Sequence, residues 1–342
     1  DHVEGFAPQL AVVTIGGGKE LEEPLIVRPT SETIINYMYS KWIQSYRDLP
    51  VLINQWANVV RWEMRTKPFI RTTEFLWQEG HTCHETDTEA LKETYKMLDI
   101  YRWFYEHIFA IPTIPGEKSP SEKFAGALQT FSLELMLQDK KALQGCTSHY
   151  FGTKFAQAFD IKFQNREGKR EYVYQTSWGM TTRSIGALIM THGDDQGLVL
   201  PPKAAPIQVV IVPILRKKDD DATVLAAAKK LHQEILQAGV RCKLDDREEH
   251  SAGYKFNEWE VAGIPVRIEL GPRDLATHQC VIAPRVGAKQ TVKLEGLAGT
   301  IPGILDAFQK TLFSNAKKFM DDNTHKEDDY AKFQQRLERE DG

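Results

Sequence analysis

Four cysteines are few for 342 residues, and Cys83, Cys146, Cys242 and Cys280 lie far apart with no C-x-x-C. That spacing argues against a zinc site and a disulfide framework, and fits reduced thiols in a cytoplasmic protein. No run of about 18 apolar residues occurs, so no membrane-spanning helix is expected. The opening residues DHVEGF hold neither an initiator Met nor a signal-peptide pattern, and the chain is read as beginning inside a longer protein. Gly16-Gly17-Gly18 lacks the spacing of a phosphate-binding loop and reads as a hairpin turn between apolar runs. Nothing repeats internally. The net charge of −4 argues against a protein that coats nucleic acid non-specifically, yet leaves room for a local basic surface.

What is present is a globular composition, 42% apolar and 26% charged, on a chain long enough for two or three domains. The most informative stretch runs from Val59 to Thr82. Two β-rich runs, Val59–Glu63 and Glu74–His81, flank a basic loop containing Pro68. Strand alternation puts Arg61 with Glu63 on one face, and Phe75, Trp77, Glu79 and His81 on one face with Leu76 opposite. Arg65, Lys67 and Arg71 lie in or beside the loop. Arginine forks suit phosphates, aromatic faces suit a purine, and a carboxylate suits a small ammonium in a closed pocket. Together they fit a nucleotide plus an amino acid.

Further along, Pro29, Thr30 and Ser31 mark a helix start, with Thr30 and Glu32 readable as a cap and a first-turn acid. Residues 85–109 read as an amphipathic helix with a Thr86/Glu89 capping box and a buried stripe of Leu91, Tyr95, Leu98, Tyr101, Tyr105 and Ile108. QGCTSHY (144–150) is a polar cluster in which His149 is readable as a hydrogen-bonded core histidine. A strand over Tyr172–Ser177 leads into a helix whose first turn holds Thr181, Thr182 and Arg183, a setting that favours anions. The proline-rich segment 194–206 reads as a boundary. Beyond it, strands at Ile207–Val212, Val240–Leu244, Val266–Leu270 and Cys280–Ala283 alternate with helices at Ala222–Ala238 and Tyr254–Val261. Residues 301–342 are helical by pattern.

R-x-E, a loop, then R-x-x-x-F resembles motif 2 of class II aminoacyl-tRNA synthetases, and EFLWQEGHT resembles the prolyl-tRNA synthetase version. Three more strings share that resemblance: the Thr-Ser-Glu of residues 30–32, Q-x-x-T-S-H at 144–149, and S-W-G-x-T-T-R at 177–183, which is similar to motif 3. GYKFNEWE and PVRIELGPRD resemble the family's anticodon-binding domain. The resemblance covers nearly all of residues 1–320 and implies an α/β protein: an α+β catalytic domain with the antiparallel class II sheet over 1–203, an α/β anticodon-binding domain with a mixed sheet over 204–300, and the start of a helical appendage over 301–342. The interval from Glu79 to Arg183 is too short for the bacterial editing insert, which points to the eukaryotic and archaeal type; motif 1 would lie upstream.

The function this implies is proline–tRNA ligation, with ATP and Mg2+ as cofactors, L-proline and tRNA(Pro) as partners, a homodimer, and no metal held by the protein alone. Arg61 and Arg183 carry over as catalytic. The ATP side takes Arg61, Glu63, Arg71, Phe75, Gln144, Thr147, Thr181 and Arg183. The proline side takes Thr30, Glu32, Arg61, Trp77, Glu79, His81, His149, Ser177 and Gly179. Phe256, Glu260, Arg267 and Arg273 carry over to the anticodon. Phe6 is expected near the nucleotide, and Gln9 and Cys146 depart from the family's Glu and small residue.

Overall fold

The computed structural model describes residues 9–215 and 221–338; Phe6 lies outside them. The chain forms two compact units. The first comprises the chain up to Trp103, Thr113–Leu137 and Lys141–Ala187; the second comprises Phe104–Pro112, Gln138–Lys140 and the chain from Leu188 onward.

In the first unit a hairpin, β1 (Ala11–Gly16) and β2 (Lys19–Val27), turns through Gly17 and Gly18, both at positive φ. Helix α1 (Glu32–Trp42), strands β3 (Val51–Val60) and β4 (Glu74–His84), and helix α2 (Asp87–Trp103) follow. Then come β5 (Ile114–Glu117), β6 (Gln129–Met136), β7 (Ala142–Gly152), α3 (Lys154–Ala158), the small pair β8 (Lys162–Gln164) and β9 (Arg170–Tyr172), and β10 (Tyr174–Thr181). Helix α4 (Arg183–His192) runs across the division between the units. Six strands form one antiparallel sheet in the order β3-β4-β10-β7-β6-β5.

Helix α2 covers one face of this sheet. The Thr86/Glu89 capping box forms at its start, Ser148 Oγ donates to the Thr94 carbonyl at 2.8 Å, and Tyr101 OH donates to Gln78 Oε1 at 2.6 Å. The buried stripe matches the expected one at Leu98, Tyr101 and Tyr105 and departs from it toward the helix start. Ala90, Thr94, Leu98 and Tyr101 face the sheet, whereas Tyr95 is 47% exposed with its ring against Phe131. Small residues at 90 and 94 let the helix approach closely, which turns the bulkier Tyr95 outward. The helix runs on to Ile108 as expected, but its last stretch, Phe104–Ile108, is a π turn rather than α.

Other expectations shift as well: the strand read over Tyr172–Ser177 runs from Tyr174 to Thr181, so Thr181 closes the strand and the helix begins at Arg183. The strand read over Val59–Glu63 lies earlier and ends at Val60. The Arg61 amide still bonds the Thr73 carbonyl in the β3–β4 register, but the Trp62 amide turns away to the Gln9 carbonyl. The N-cap of α1 is Ser31 rather than Thr30, and its side chain makes no capping bond.

In the second unit, β11 (Val209–Pro213), α5 (Asp221–Gln237), β12 (Cys242–Leu244), α6 (Ala252–Val261), β13 (Val266–Leu270), α7 (Pro272–Ala276), β14 (Gln279–Pro284) and β15 (Gln290–Lys293) precede α8 (Leu297–Asp322) and α9 (Tyr330–Glu338). The sheet order is β12-β11-β13-β14-β15, parallel through the first three strands and antiparallel at β14 and β15. Helices cover both faces. Val209, Ile211, Val266 and Ile268 pack on α5 and on Leu297, Ile301 and Leu305 of α8. Val210, Val212 and Ile264 pack on Phe256 and Trp259 of α6. Central strands buried on both faces read as near-continuous apolar runs, which is why Ile207–Val212 and Val266–Leu270 stand out in the sequence.

Candidate active site

The face of the first sheet opposite α2 is the floor of a cleft of about 390 Å³. Strand register assembles it. One rung across the floor reads Gln55, Glu79, Gly179, Thr147 and Ser132; the next reads Ile53, His81, Ser177, His149 and Thr130. Motif residues remote in sequence thus become neighbours because each sits on the same pleat of an adjacent strand. Every residue expected at the ATP and proline sites lines this one cleft: Thr30, Glu32, Arg61, Glu63, Arg71, Phe75, Trp77, Glu79, His81, Gln144, Thr147, His149, Ser177, Gly179, Thr181 and Arg183.

The cleft is charged at both ends of its chemistry. Arg61 donates through Nε to the Pro29 carbonyl at 2.9 Å, and its guanidinium lies 5.3 Å from the Phe75 ring centroid and 5.7 Å from that of Trp77. Arg183 opens α4 and donates through Nε to the Ile70 carbonyl at 3.0 Å, which ties the helix start to the β3–β4 loop. Arg71 stands near the entrance, 64% exposed, 3.5 Å from Glu63. Glu63 accepts from the Arg65 amide at 3.0 Å; that bond, with the Arg71 charge, holds its carboxyl below the usual range against a smaller opposing effect of burial.

Deeper in, Glu32 and Glu79 are buried. Thr30 Oγ1 donates to Glu32. Glu79 accepts from Ser31, from Gln55 Nε2 at 2.6 Å, and faces His81 Nε2 at 3.0 Å. Burial pushes the Glu79 carboxyl up, but His81, Ser31 and Gln55 outweigh it and leave it below the ordinary value, hence ionised at neutral pH. His149 lies between Phe124 and Phe151, bonded through Nδ1 to Thr130 Oγ1 at 3.0 Å. Burial, then the charges of Lys118, His81 and Arg61, push its imidazole down to about 3, so it is neutral. Gly179 keeps the floor low: a Cβ there would sit 3.2 Å from the Gln78 carbonyl and beside Trp77 and Glu79.

Several lining residues escaped the sequence reading. Lys118, Glu122, Phe124 and Thr130 line the cleft, and the Lys118 ammonium donates to Gln144 Oε1. Lys118 and Phe124 bound a segment that reads as a polar connection, and its basic residue beside an aromatic was the available signal. Gly80 is also structural here: a Cβ would fall 2.0 Å from the Trp178 ring, so the indole packs directly on the strand backbone.

The second unit has its own cleft, of about 550 Å³. Phe256, Glu260 and Arg267 line it; Arg273 stands exposed on α7, outside that lining. Arg267 donates to Glu269 Oε1 at 3.1 and 2.9 Å and to the Phe256 carbonyl at 3.1 Å, with its guanidinium 4.5 Å from the Phe256 ring centroid. Lys289 Nζ shares Glu269 Oε1 at 2.8 Å. Among the described residues no three of His, Cys, Asp and Glu gather as a metal site, and no helix is long and apolar enough to cross a membrane.

The family described as tRNA synthetase class II core domain (G, H, P, S and T) matches residues 13–192, and the anticodon binding domain family matches residues 208–303. The chain is 58% identical over 326 residues to a proline–tRNA ligase of Chloroherpeton thalassium, covering 95% of this chain and 67% of that protein. It is 55% identical over 340 residues to the proline–tRNA ligase of Prosthecochloris aestuarii, covering 99% and 70%. A chloroplastic/mitochondrial proline–tRNA ligase of Arabidopsis thaliana is 54% identical over 337 residues, covering 96% and 62%.

Proposed function

We propose a division of labour for these residues from one premise: the chain belongs to the proline–tRNA ligase family, enzymes that use ATP to join proline to tRNA. In that reaction the proline carboxylate attacks the α-phosphate of ATP, giving prolyl-adenylate and pyrophosphate. The terminal ribose hydroxyl of tRNA then attacks the activated carbonyl and releases AMP. The observation that carries the residue assignment is the convergence of two anchored arginines and a buried ionised carboxylate in a single cleft.

Arg61, deep and central, bridges the α-phosphate and the proline carboxylate, where charge shifts during attack. Arg183 and Arg71 hold the outer phosphates. Phe75 stacks on adenine, with Glu63, Gln144, Thr147 and Thr181 around the nucleotide. Glu79 and Glu32 take the secondary ammonium of proline, aided by Thr30; Trp77, His81, His149, Ser177 and Gly179 shape its ring pocket. A neutral His149 puts no like charge beside the ammonium. Magnesium fits as an ion carried by the triphosphate, since the cleft offers carboxylates at Glu63 and Glu122 but no three-ligand cluster among the described residues.

In the second unit Phe256, Glu260, Arg267 and Arg273 are assigned to the tRNA(Pro) anticodon, whose guanines suit arginine and carboxylate partners. The catalytic domain is drawn over 1–203, the anticodon-binding domain over 204–300 and a helical appendage from 301, a division that falls inside α8. The short interval from β4 to β10, filled by α2 and strands of the same sheet, supports the domain plan without an editing insert, associated above with eukaryotic and archaeal enzymes; the relatives named are bacterial or organellar. A homodimer is supported by the edge strand β3, whose outward face exposes Leu52 and Trp56 beside Leu76 of β4. Cytoplasmic residence is supported by four free cysteines.

The test is amino-acid-dependent ATP–pyrophosphate exchange with proline, histidine, threonine, glycine, alanine and cysteine. Strong exchange with proline is expected; strong exchange with another amino acid would overturn the pocket assignment, and none from a folded, ATP-binding protein would indicate a non-catalytic relative.

A further inference from the structure

Ser31 is the N-cap of α1, and an N-cap serine ordinarily turns its hydroxyl onto the free amides of the first turn. Here it makes no capping bond. The hydroxyl is fully buried and donates to Glu79 Oε1 on β4 instead. Gln55 sits directly opposite Glu79 in the β3–β4 register. Its amide donates to the same Oε1 at 2.6 Å and approaches Ser31 Oγ at 3.3 Å. His81 Nε2 occupies the other oxygen at 3.0 Å. A carboxylate offers about four lone-pair directions, and three are taken by the protein.

We propose that Ser31 and Gln55 are positioning residues that set the choice of amino acid: by filling Oε1 of Glu79 they fix the carboxylate plane and leave one acceptor direction for the substrate ammonium. The inference rests on the reading of Glu79 as a proline-site carboxylate. A secondary ammonium has two N–H donors and a primary one has three. A carboxylate with one direction left takes one of the two N–H donors of a secondary ammonium and leaves the other to Glu32, and it cannot accept two donors of a primary ammonium at once. The two donors also stabilise the ionised form in a buried site, where a carboxylate without partners would take up a proton. The charged and titratable groups facing Glu79 are His81 on its own strand, Arg61 and Glu32 across the cleft, and His149 beyond Ser177 on β7. Gln55 on β3 and Gly179 and Ser177 on β10 carry no charge.

The experiment is ATP–pyrophosphate exchange with Mg-ATP and either proline or alanine, from pH 5.5 to 8.5, on the full chain and its Gln55→Met, Ser31→Ala, Ser31→Thr and Glu79→Gln variants. Gln55→Met keeps length and loses the donor. In Gln55→Met and Ser31→Ala the KM for proline should rise about tenfold, more than kcat or the KM for ATP. The acid limb of kcat/KM for proline should move to higher pH, and the preference for proline over alanine should narrow. Ser31→Thr, which keeps the hydroxyl, should behave like the parent. Gln55 is half-buried on an edge strand, where Met fills nearly the same volume, so Gln55→Met decides the matter even if Ser31→Ala fails to fold. An unchanged proline KM, acid limb and proline/alanine ratio in Gln55→Met, with Glu79→Gln impaired, overturns the positioning role alone. A Glu79→Gln variant with normal proline KM overturns the underlying assignment of Glu79.

Discussion

In the cleft of the first unit, Arg61 and Arg183 are each anchored through Nε to a backbone carbonyl, of Pro29 and Ile70. In the cleft of the second unit, Arg267 and Lys289 converge on one carboxylate oxygen of Glu269. A carbonyl anchor orients a guanidinium through a neutral acceptor, although Arg61 also feels the Glu32 and Glu79 carboxylates; a carboxylate anchor orients a cation and offsets its charge through the same contact. The first arrangement suits phosphates, where positive charge is the working quantity. The second suits the edge and face of a base, where donor geometry decides the partner and free charge would invite any phosphate.

The largest effect that tests this contrast is on Arg61. Arg61→Ala should lower proline-dependent ATP–pyrophosphate exchange by about 10³-fold or more, because it removes the group aimed at developing phosphate charge. Arg61→Lys should recover little, since a point charge does not replace a fork that reaches two acceptors. Near-normal exchange in Arg61→Ala would remove the contrast between the clefts.

Next comes the rigidity of the first cleft's floor. Gly80 lies on β4 between Glu79 and His81, and its absent side chain is where the Trp178 indole rests. Gly80→Ala should cost about 3 kcal/mol by overpacking and disturb both neighbours' directions. Thermal unfolding measures the first and proline KM the second. A variant of normal stability and KM would show a floor able to yield.

How much of this was legible in advance follows from where each interaction lives. Strand alternation alone put Phe75, Trp77, Glu79 and His81 on one face, and the structure agrees. The apolar runs of the second unit announced its central strands because both faces are buried. Short elements did not show: α7 and β15 have five and four residues, too few for a period to emerge. Ser31 and Gln55 were illegible for a different reason. They are neutral polar residues 48 and 24 positions from Glu79, joined to it only by tertiary packing and register. Arg267 and Glu269 are the instructive intermediate case. Opposite charges two apart on a strand share a face, so their pairing was readable, yet the arginine alone drew notice as a base reader.

Titration separates the two units by a smaller margin. His149 is held down at about 3 from an ordinary 6.5, so its unfolded form takes up a proton as pH falls below that ordinary value while the folded form does not. Stability from this group is complete above about pH 6.5 and falls steadily toward pH 3. Asp245 in the second unit behaves otherwise. Burial raises it, but Arg247, Trp259 and Lys255 outweigh burial and hold it at about 2, down from 3.8. Its contribution therefore persists until pH drops below the ordinary carboxylate value. At pH 5, amides of β7 and β10 should lose protection from hydrogen exchange before those of β11 and β13, and His149→Gln should reduce that lead. Equal loss in both sheets would show that neither group governs its unit.

The smallest effect is on Glu269. Glu269→Gln keeps the shape and one acceptor but uncovers the charges of Arg267 and Lys289. Exchange without tRNA should not change, because the substituted residue belongs to the second unit and no tRNA takes part. In charging assays, discrimination between tRNA(Pro) and other tRNAs should narrow several-fold, since an uncancelled cation gains phosphate affinity that carries no sequence information. The salt dependence of tRNA binding should steepen, by about one in the slope of log K against log salt for each cation newly engaged with phosphate. A merely structural Glu269 would instead lower the thermal stability of the unit and weaken all tRNAs alike, with an unchanged salt slope. That outcome would mean that the carboxylate in the second cleft serves the fold, and that the two clefts differ in packing rather than in how they recognise their ligands.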